Sequence, residues 1–155
     1  MSSIPSANWE IFLDRAFAAP KRLVWKAWTE PEHLRRWLCP KDFEVTFVEV
    51  DLRVGGHWRS GMRSQDGTDY VMGGRYREIL PPDRLVFSHG WEDNLEPGHV
   101  PGHEAMIEID LHEFEGMTRM SFKVTGLESE LGRDGQKQGW SEAFENLRAL
   151  LSEAR

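Results

Sequence analysis

Residues 134–154, DGQKQGWSEAFENLRALLSEA, are the last place where the chain changes its period, and their reading decides the fold. Trp140, Phe144, Leu147 and Leu151 are spaced 4, 3 and 4 apart, one stripe of a helix, while Glu142, Glu145 and Arg148 lie off it. Asp134 is a residue type that caps helix starts. The spacing therefore predicts one long helix from Asp134 to Ala154. A helix with so heavy an apolar stripe needs a face to bury it against.

That face lies upstream. From Glu44 to Val124 the period is two. Val48, Val50 and Leu52 alternate with Glu49 and Asp51, and Trp58, Ser60 and Met62 stand opposite Arg59 and Arg63. Tyr70, Met72, Gly74 and Tyr76 share a parity that also reaches Glu78, and Leu85, Phe87, His89 and Trp91 form the next inward row. Ala105, Ile107, Ile109 and Leu111 follow, then Met120, Phe122 and Val124. Gly55-Gly56, Asp66-Gly67, Pro81-Pro82-Asp83 and Glu115-Gly116 mark the turns. One dry and one wet face along meandering strands means an antiparallel sheet. The terminal helix is the only segment long enough to cover it.

The N-terminal part completes the order. MSSIPSA, residues 1–7, is small and polar and expected to be loose. Ile11, Leu13, Arg15 and Phe17 share a parity, a strand from Trp9 to Phe17. Pro20 suits a first helical turn, and Leu23, Val24, Ala27 and Trp28 follow at helical spacing. Thr29-Glu30-Pro31-Glu32 reads as a capping box opening a second short helix to about Trp37, which Pro40 stops. The class is α+β: a seven-stranded antiparallel sheet, two short helices after the first strand, and a long C-terminal helix over the concave face.

Composition narrows the function. A chain of 155 residues is one domain, with an ordered core expected over about 8–153. Its net charge of −7 disfavours nucleic acid and anionic membrane as partners. One cysteine excludes a disulfide framework. No stretch is apolar for the roughly 18 residues a membrane span needs, and no basic-then-apolar leader stands at the start, so a cytoplasmic location is expected. Seven tryptophans, eight phenylalanines and six methionines suggest a cavity or groove as readily as a solid core.

Five stretches then carry a family resemblance: APKRLVWKAWTEPEHLRRW at 19–37, DLRVGGHWR at 51–59, DGTDY at 66–70, GGRYREILPPDRLVFSHGW at 73–91 and GWSEAFENLRALL at 139–151. In this order they resemble the activator of heat-shock protein 90 ATPase homologue family, of the START-like or SRPBCC superfamily with its helix-grip fold. The pattern departs at Leu38, Cys39 and near Asp42, where the family has Trp and Gly. The resemblance implies a domain that holds a hydrophobic small molecule between sheet and helix. It also implies two alternatives: a cochaperone-like domain that stimulates a heat-shock protein 90 type ATPase, with a chaperone as partner, and a cyclase- or hydrolase-type enzyme. Monomer and homodimer both fit.

The inward rows bring the candidate binding residues together. From the sheet come Trp58, Met62, Met72, Tyr76, His89 and Trp91. Met120 and Phe122 of the last strand and Trp140 and Phe144 of the helix complete the set, with Trp37 at its rim. Tyr76 and His89 are the polar handles of such a pocket; the alternative is a solid aromatic core. His89 has no Ser and Asp patterned to complete a triad, so no catalytic residue is assigned. Arg15 and Glu78 read as an ion pair near strand ends. His99, His103 and Glu104 lack a common face because Pro101 and Gly102 forbid a helix, so they read as a solvated loop; no metal and no cofactor is expected. Cys39 reads as a passive small residue, and Lys21, Arg22, Lys26, Arg35 and Arg36 as a basic, solvated helix surface.

Overall fold

The computed structural model describes residues 8–92 and 94–153. Two expectations, the loose residues 1–7 and the helix end at Ala154, lie outside them. Among the described residues the order is β1 (Trp9–Phe17), α1 (Lys21–Thr29), α2 (Pro31–Trp37), β2 (Glu44–Val50), β3 (His57–Arg63), β4 (Asp69–Leu80), β5 (Arg84–Glu92), β6 (Ala105–Phe114), β7 (Met117–Leu127) and α3 (Glu130–Glu153). The strands form one sheet, β1-β7-β6-β5-β4-β3-β2, antiparallel at every pairing. The meander closes back on β1 because the helical excursion after it carries the chain to the far edge.

The alternation read from the sequence sets the dry face. Ile11, Leu13 and Phe17 of β1, Ile107, Ile109 and Leu111 of β6, and Met120, Phe122 and Val124 of β7 are all buried. α3 buries Trp140, Phe144, Leu147 and Leu151 against them. At the centre Phe122 meets Trp140 and Phe144 with ring centroids 4.9 and 5.0 Å apart, and Trp28 of α1 meets Trp37 edge-on at 4.7 Å. Such pairs add to area burial because offset and edge contacts suit the ring quadrupoles.

Four local readings need correction. Thr29 does not cap α2: it ends α1, its hydroxyl donates to the Trp25 carbonyl at 2.8 Å, and the α2 N-cap is Glu30 with Pro31 just inside. Asp134 does not open α3. Ser129 does, five residues before the expected cap: its Oγ accepts the Gly132 N–H at 2.9 Å and its carbonyl accepts from Arg133 at 3.0 Å. Leu52 lies beyond β2 and is exposed. Glu78 does not pair with Arg15. A bulge between Tyr76 and Glu78 shifts the parity of β4, and Glu78 joins Glu108 and Asp110 around the Arg84 guanidinium at 2.8–3.1 Å. Arg15 keeps its inward parity and reaches Ser141 Oγ at 3.4 Å.

Candidate functional site

α3 does not cover the sheet evenly. Its links run to the β1 side: Arg15 to Ser141, Arg148 to the Ala16 carbonyl at 2.9 Å, and the Arg133 guanidinium 4.9 Å over the Trp9 ring. The inward rows of β3, β4 and β5 are left for two connections to close. The α2–β2 connection is tied to α3 by Asn146 Nδ2 donating to the Cys39 carbonyl at 3.0 Å and by the Lys41 N–H donating to Glu142 at 3.2 Å. The β5–β6 loop is tied to the start of α3 by Ser129 Oγ donating to the Gly98 carbonyl at 2.6 Å. Gly98 has φ of +89° and lies so near Gly132 that a Cβ on it would stand 2.3 Å from the Gly132 nitrogen, so both positions need glycine for this contact.

Between these pieces lies a cavity of about 360 Å³. Met62 and Met72 belong to its sheet side, with His89 and Trp91 beside them; Leu38, Cys39, Pro40 and Phe43 wall it from the α2–β2 connection. The α3 wall carries Leu131, Gln136, Trp140 and Ala143, but Gly135 and Gly139 contribute no side chain. A Cβ on Gly135 would meet nothing within 4 Å. The cavity is open there because the helix is bare.

Its polar groups are His89, Glu96, His99 and Gln136 toward β5 and the β5–β6 loop, and Gln138 and Glu142 on α3. The fully buried His89 has Nε2 3.3 Å from Met72 Sδ, and burial, assisted by nearby His99, pulls its pKa down to about 4. It is therefore neutral at physiological pH. His99, with its side chain almost fully buried, places Nδ1 3.1 Å from Glu128 Oε1, and Glu128 Oε2 accepts the Val100 N–H at 2.8 Å. Burial opposes the charge on Glu128, but the Val100 N–H and His99 outweigh it and hold the carboxyl below its usual range. Glu96 also lines the cavity, where burial raises its carboxyl and His99 partly offsets that. Gln136 is already engaged, accepting the Trp140 Nε1–H at 3.0 Å. Burial, with Glu44 assisting, raises the Cys39 thiol, and Sγ lies 3.4 Å from the Phe43 carbonyl; this is an unreactive setting.

Of the residues singled out from the sequence, Met62, Met72, His89, Trp91 and Trp140 line the cavity. Trp37, Met120, Phe122 and Phe144 are sealed in the core behind its walls. Trp58 and Tyr76 are buried further along the sheet, packed on Phe87 at 5.3 and 6.2 Å, so Tyr76 is not a handle of this cavity. Parity tells which face a residue takes, not whether α3 lies on top of it. The residues missed are those of the connections, notably Phe43, Glu96 and His99, which have no periodicity to read. The one available signal was Gly135 and Gly139 within a predicted helix, where glycine is costly without a packing or spatial reason. The expected solvated loop needs correction at His99, whose side chain is almost fully buried on Glu128; His103 does not share its partner, and its Nε2 lies at the Gly126 carbonyl. The basic helix residues are partly paired, Lys21 with Asp83 and Arg36 with Glu153.

Comparison with known proteins agrees with this architecture. Residues 18–152 match the model of the family described as activator of Hsp90 ATPase homolog 1-like protein. No curated protein matches the chain. Among solved structures, a protein of Chromobacterium violaceum superposes with a TM-score of 0.82 at 26% identity, covering 92% of this chain and 96% of its own. One from Arthrobacter aurescens gives 0.81 at 29%, covering 93% and 86%. The AHSA1 protein of Silicibacter pomeroyi gives 0.82 at 23%, covering 95% and 100%, a likeness of fold. No helix among the described residues is long and apolar enough to cross a membrane.

Proposed function

The chain belongs to the activator of Hsp90 ATPase homolog 1-like family, and from that membership and the cavity we propose that it is a START-like domain that holds a hydrophobic small molecule between its sheet and C-terminal helix. The family and fold support a ligand-binding domain in general terms; the cavity is the single observation that carries the finer reading. At about 360 Å³ it falls within the roughly 300–1,000 Å³ typical of small-molecule sites. Its walls combine aromatic, aliphatic and thioether groups with polar ones from β5, the β5–β6 loop and α3. That combination suits a ligand whose apolar body is desolvated and whose orientation is set by hydrogen bonds.

The cochaperone alternative would need an apolar docking face. Among the described residues the large exposed apolar side chains are Phe12, Leu52, Val54, Leu80, Val100, Phe114 and Leu131, spread over β1, the β2–β3 connection, β4, the β5–β6 loop, β6 and α3. An enzyme of the cyclase or hydrolase kind gains one observation, since Glu96 and His99 line the same cavity. Ester turnover that depends on His99 would favour it over plain binding.

The test uses a neutral apolar fluorophore, N-phenylnaphthylamine, titrated into the protein. Saturable, one-to-one uptake with a blue-shifted emission is expected. Gly135→Leu, which places a side chain at the open mouth, should weaken uptake about tenfold without lowering the melting temperature. Absence of saturable uptake by the wild-type chain would overturn the reading.

A further inference from the structure

We infer that the cavity selects an apolar organic cation, an alkylated ammonium on a hydrophobic body, with Glu96 as its counter-charge and the rings of Trp91, Trp140 and Phe43 around it. This rests on the cavity reading above and narrows it.

The first observation is an unpaired carboxylate. Glu96 is half-buried in the cavity wall, and its side-chain oxygens, which are not sealed, have no hydrogen-bond or ion partner among the described residues. Other carboxylates of this region are engaged. Glu128 holds His99 and the Val100 N–H, Glu142 accepts from the Lys41 N–H and from Gln138 Nε2 at 3.2 Å each, and Glu92 meets Arg59 at 2.8 Å. A carboxylate taken from water beside apolar groups costs free energy until a positive charge meets it. Burial accordingly pushes the Glu96 carboxyl up.

The second observation is that the wall does not answer this charge. Among the described residues no Lys or Arg lines the cavity. Of its two histidines, His89 is neutral at physiological pH. His99 stands 3.1 Å from Glu128 Oε1, so that pair adds no net positive charge in either state of the ring. The chain as a whole carries −7, a field that draws cations toward it.

The third observation is the set of rings. Trp91, Trp140 and Phe43 line the same space, and the Trp91 ring is partly accessible although its nitrogen is sealed. Trp91 and Trp140 both pack on His89, with centroids 5.4 and 6.2 Å away, and Tyr70 bridges Phe43 and Trp91 at 6.2 and 6.1 Å. Glu96 stands near these rings: burial first, and then its charge, raises the Tyr70 hydroxyl. Aromatic faces attract cations, tryptophan most strongly, and more so where water is excluded.

An anionic ligand would meet Glu96 and Glu142 with no cation to offset them. A hydrocarbon would leave Glu96 unpaired. Calcium or magnesium takes several oxygen ligands together, and no group of three His, Cys, Asp or Glu side chains among the described residues is placed to hold a metal ion.

Three naphthalenes separate these cases, titrated by calorimetry. They are (β-naphthylmethyl)trimethylammonium, its neutral isostere β-neopentylnaphthalene, in which carbon replaces the nitrogen, and the anion β-naphthylacetate. The ammonium should bind the wild-type chain at least about tenfold tighter than the naphthylacetate. Glu96→Gln should weaken the ammonium about tenfold and leave the neopentyl isostere unchanged. Glu96→Lys should reverse the order, with naphthylacetate the tighter. An ammonium affinity unmoved by Glu96→Gln, an equal loss for the isostere, or naphthylacetate binding the wild-type chain as tightly as the ammonium would overturn the cation site and leave the cavity reading standing. No binding by any of the three would overturn both.

Discussion

His89 illustrates what a single residue contributes. It stands in the middle of β5, fully buried, with a thioether sulfur rather than a charge beside its ring. Its pKa is about 4 in the folded chain and about 6.5 when unfolded. Between those values the unfolded chain binds a proton that the folded chain refuses, so stability rises with pH across that window. The contribution is fully present above about pH 6.5 and is lost as the pH falls toward 4. His89→Phe should flatten the melting temperature against pH between those limits, by an amount corresponding to a few kcal/mol at most, about 1.4 kcal/mol per pKa unit. An unchanged slope would mean that His89 is solvated or paired. Inward parity of His89 was legible in the strand alternation. Its neighbours were not, because Glu96 and His99 arrive on a loop whose residues obey no period.

At the scale of the element, α3 has two halves with different work. Phe144, Leu147 and Leu151 anchor the second half, and Phe144 is fully buried among Trp28, Trp37 and Phe122. Phe144→Ala should cost about 3–5 kcal/mol and lower the melting temperature by roughly 10 °C for a chain of this size. A shift within a degree or two would mean that the stripe does not bear on the sheet. The first half is held by its cap and thinned by glycines. Ser129→Ala should cost about 1 kcal/mol, read as a small drop in melting temperature, whereas Asp134→Ala should cost far less. The stripe of α3 was plain in the spacing of Trp140 to Leu151. Its beginning was not, because residues 130–135 carry one exposed leucine and two glycines in place of a stripe. The same lack of side chains that hid the helix start leaves open space at Gly135 in the cavity wall.

For the whole molecule, the order of elements was readable because the strands alternate over most of their length and the tight turns carry Gly, Pro or Asp. The strand order β1-β7-β6-β5-β4-β3-β2 follows from a meander plus one helical excursion. The cavity was readable only as a consequence of that order. Its position depends on how far α3 leans toward β1, which is set by long-range contacts such as Arg148 to Ala16. A ligand that binds this folded cavity and not the unfolded chain must stabilise the whole, by about 2.7 kcal/mol at a concentration of 100 Kd. The melting temperature should then rise by roughly 5–10 °C with N-phenylnaphthylamine.

The methionines offer the most direct test of the central claim, that this cavity is the ligand site. Met62 and Met72 line it, Met120 is sealed in the core, and Met106 and Met117 lie away from it. With isotope-labelled methionine methyl groups, N-phenylnaphthylamine should shift Met62 and Met72 saturably and show through-space contacts to both, leaving Met106 and Met117 unmoved. Contacts to Met106 or Met117 instead, or no saturable shift at Met62 and Met72, would contradict it.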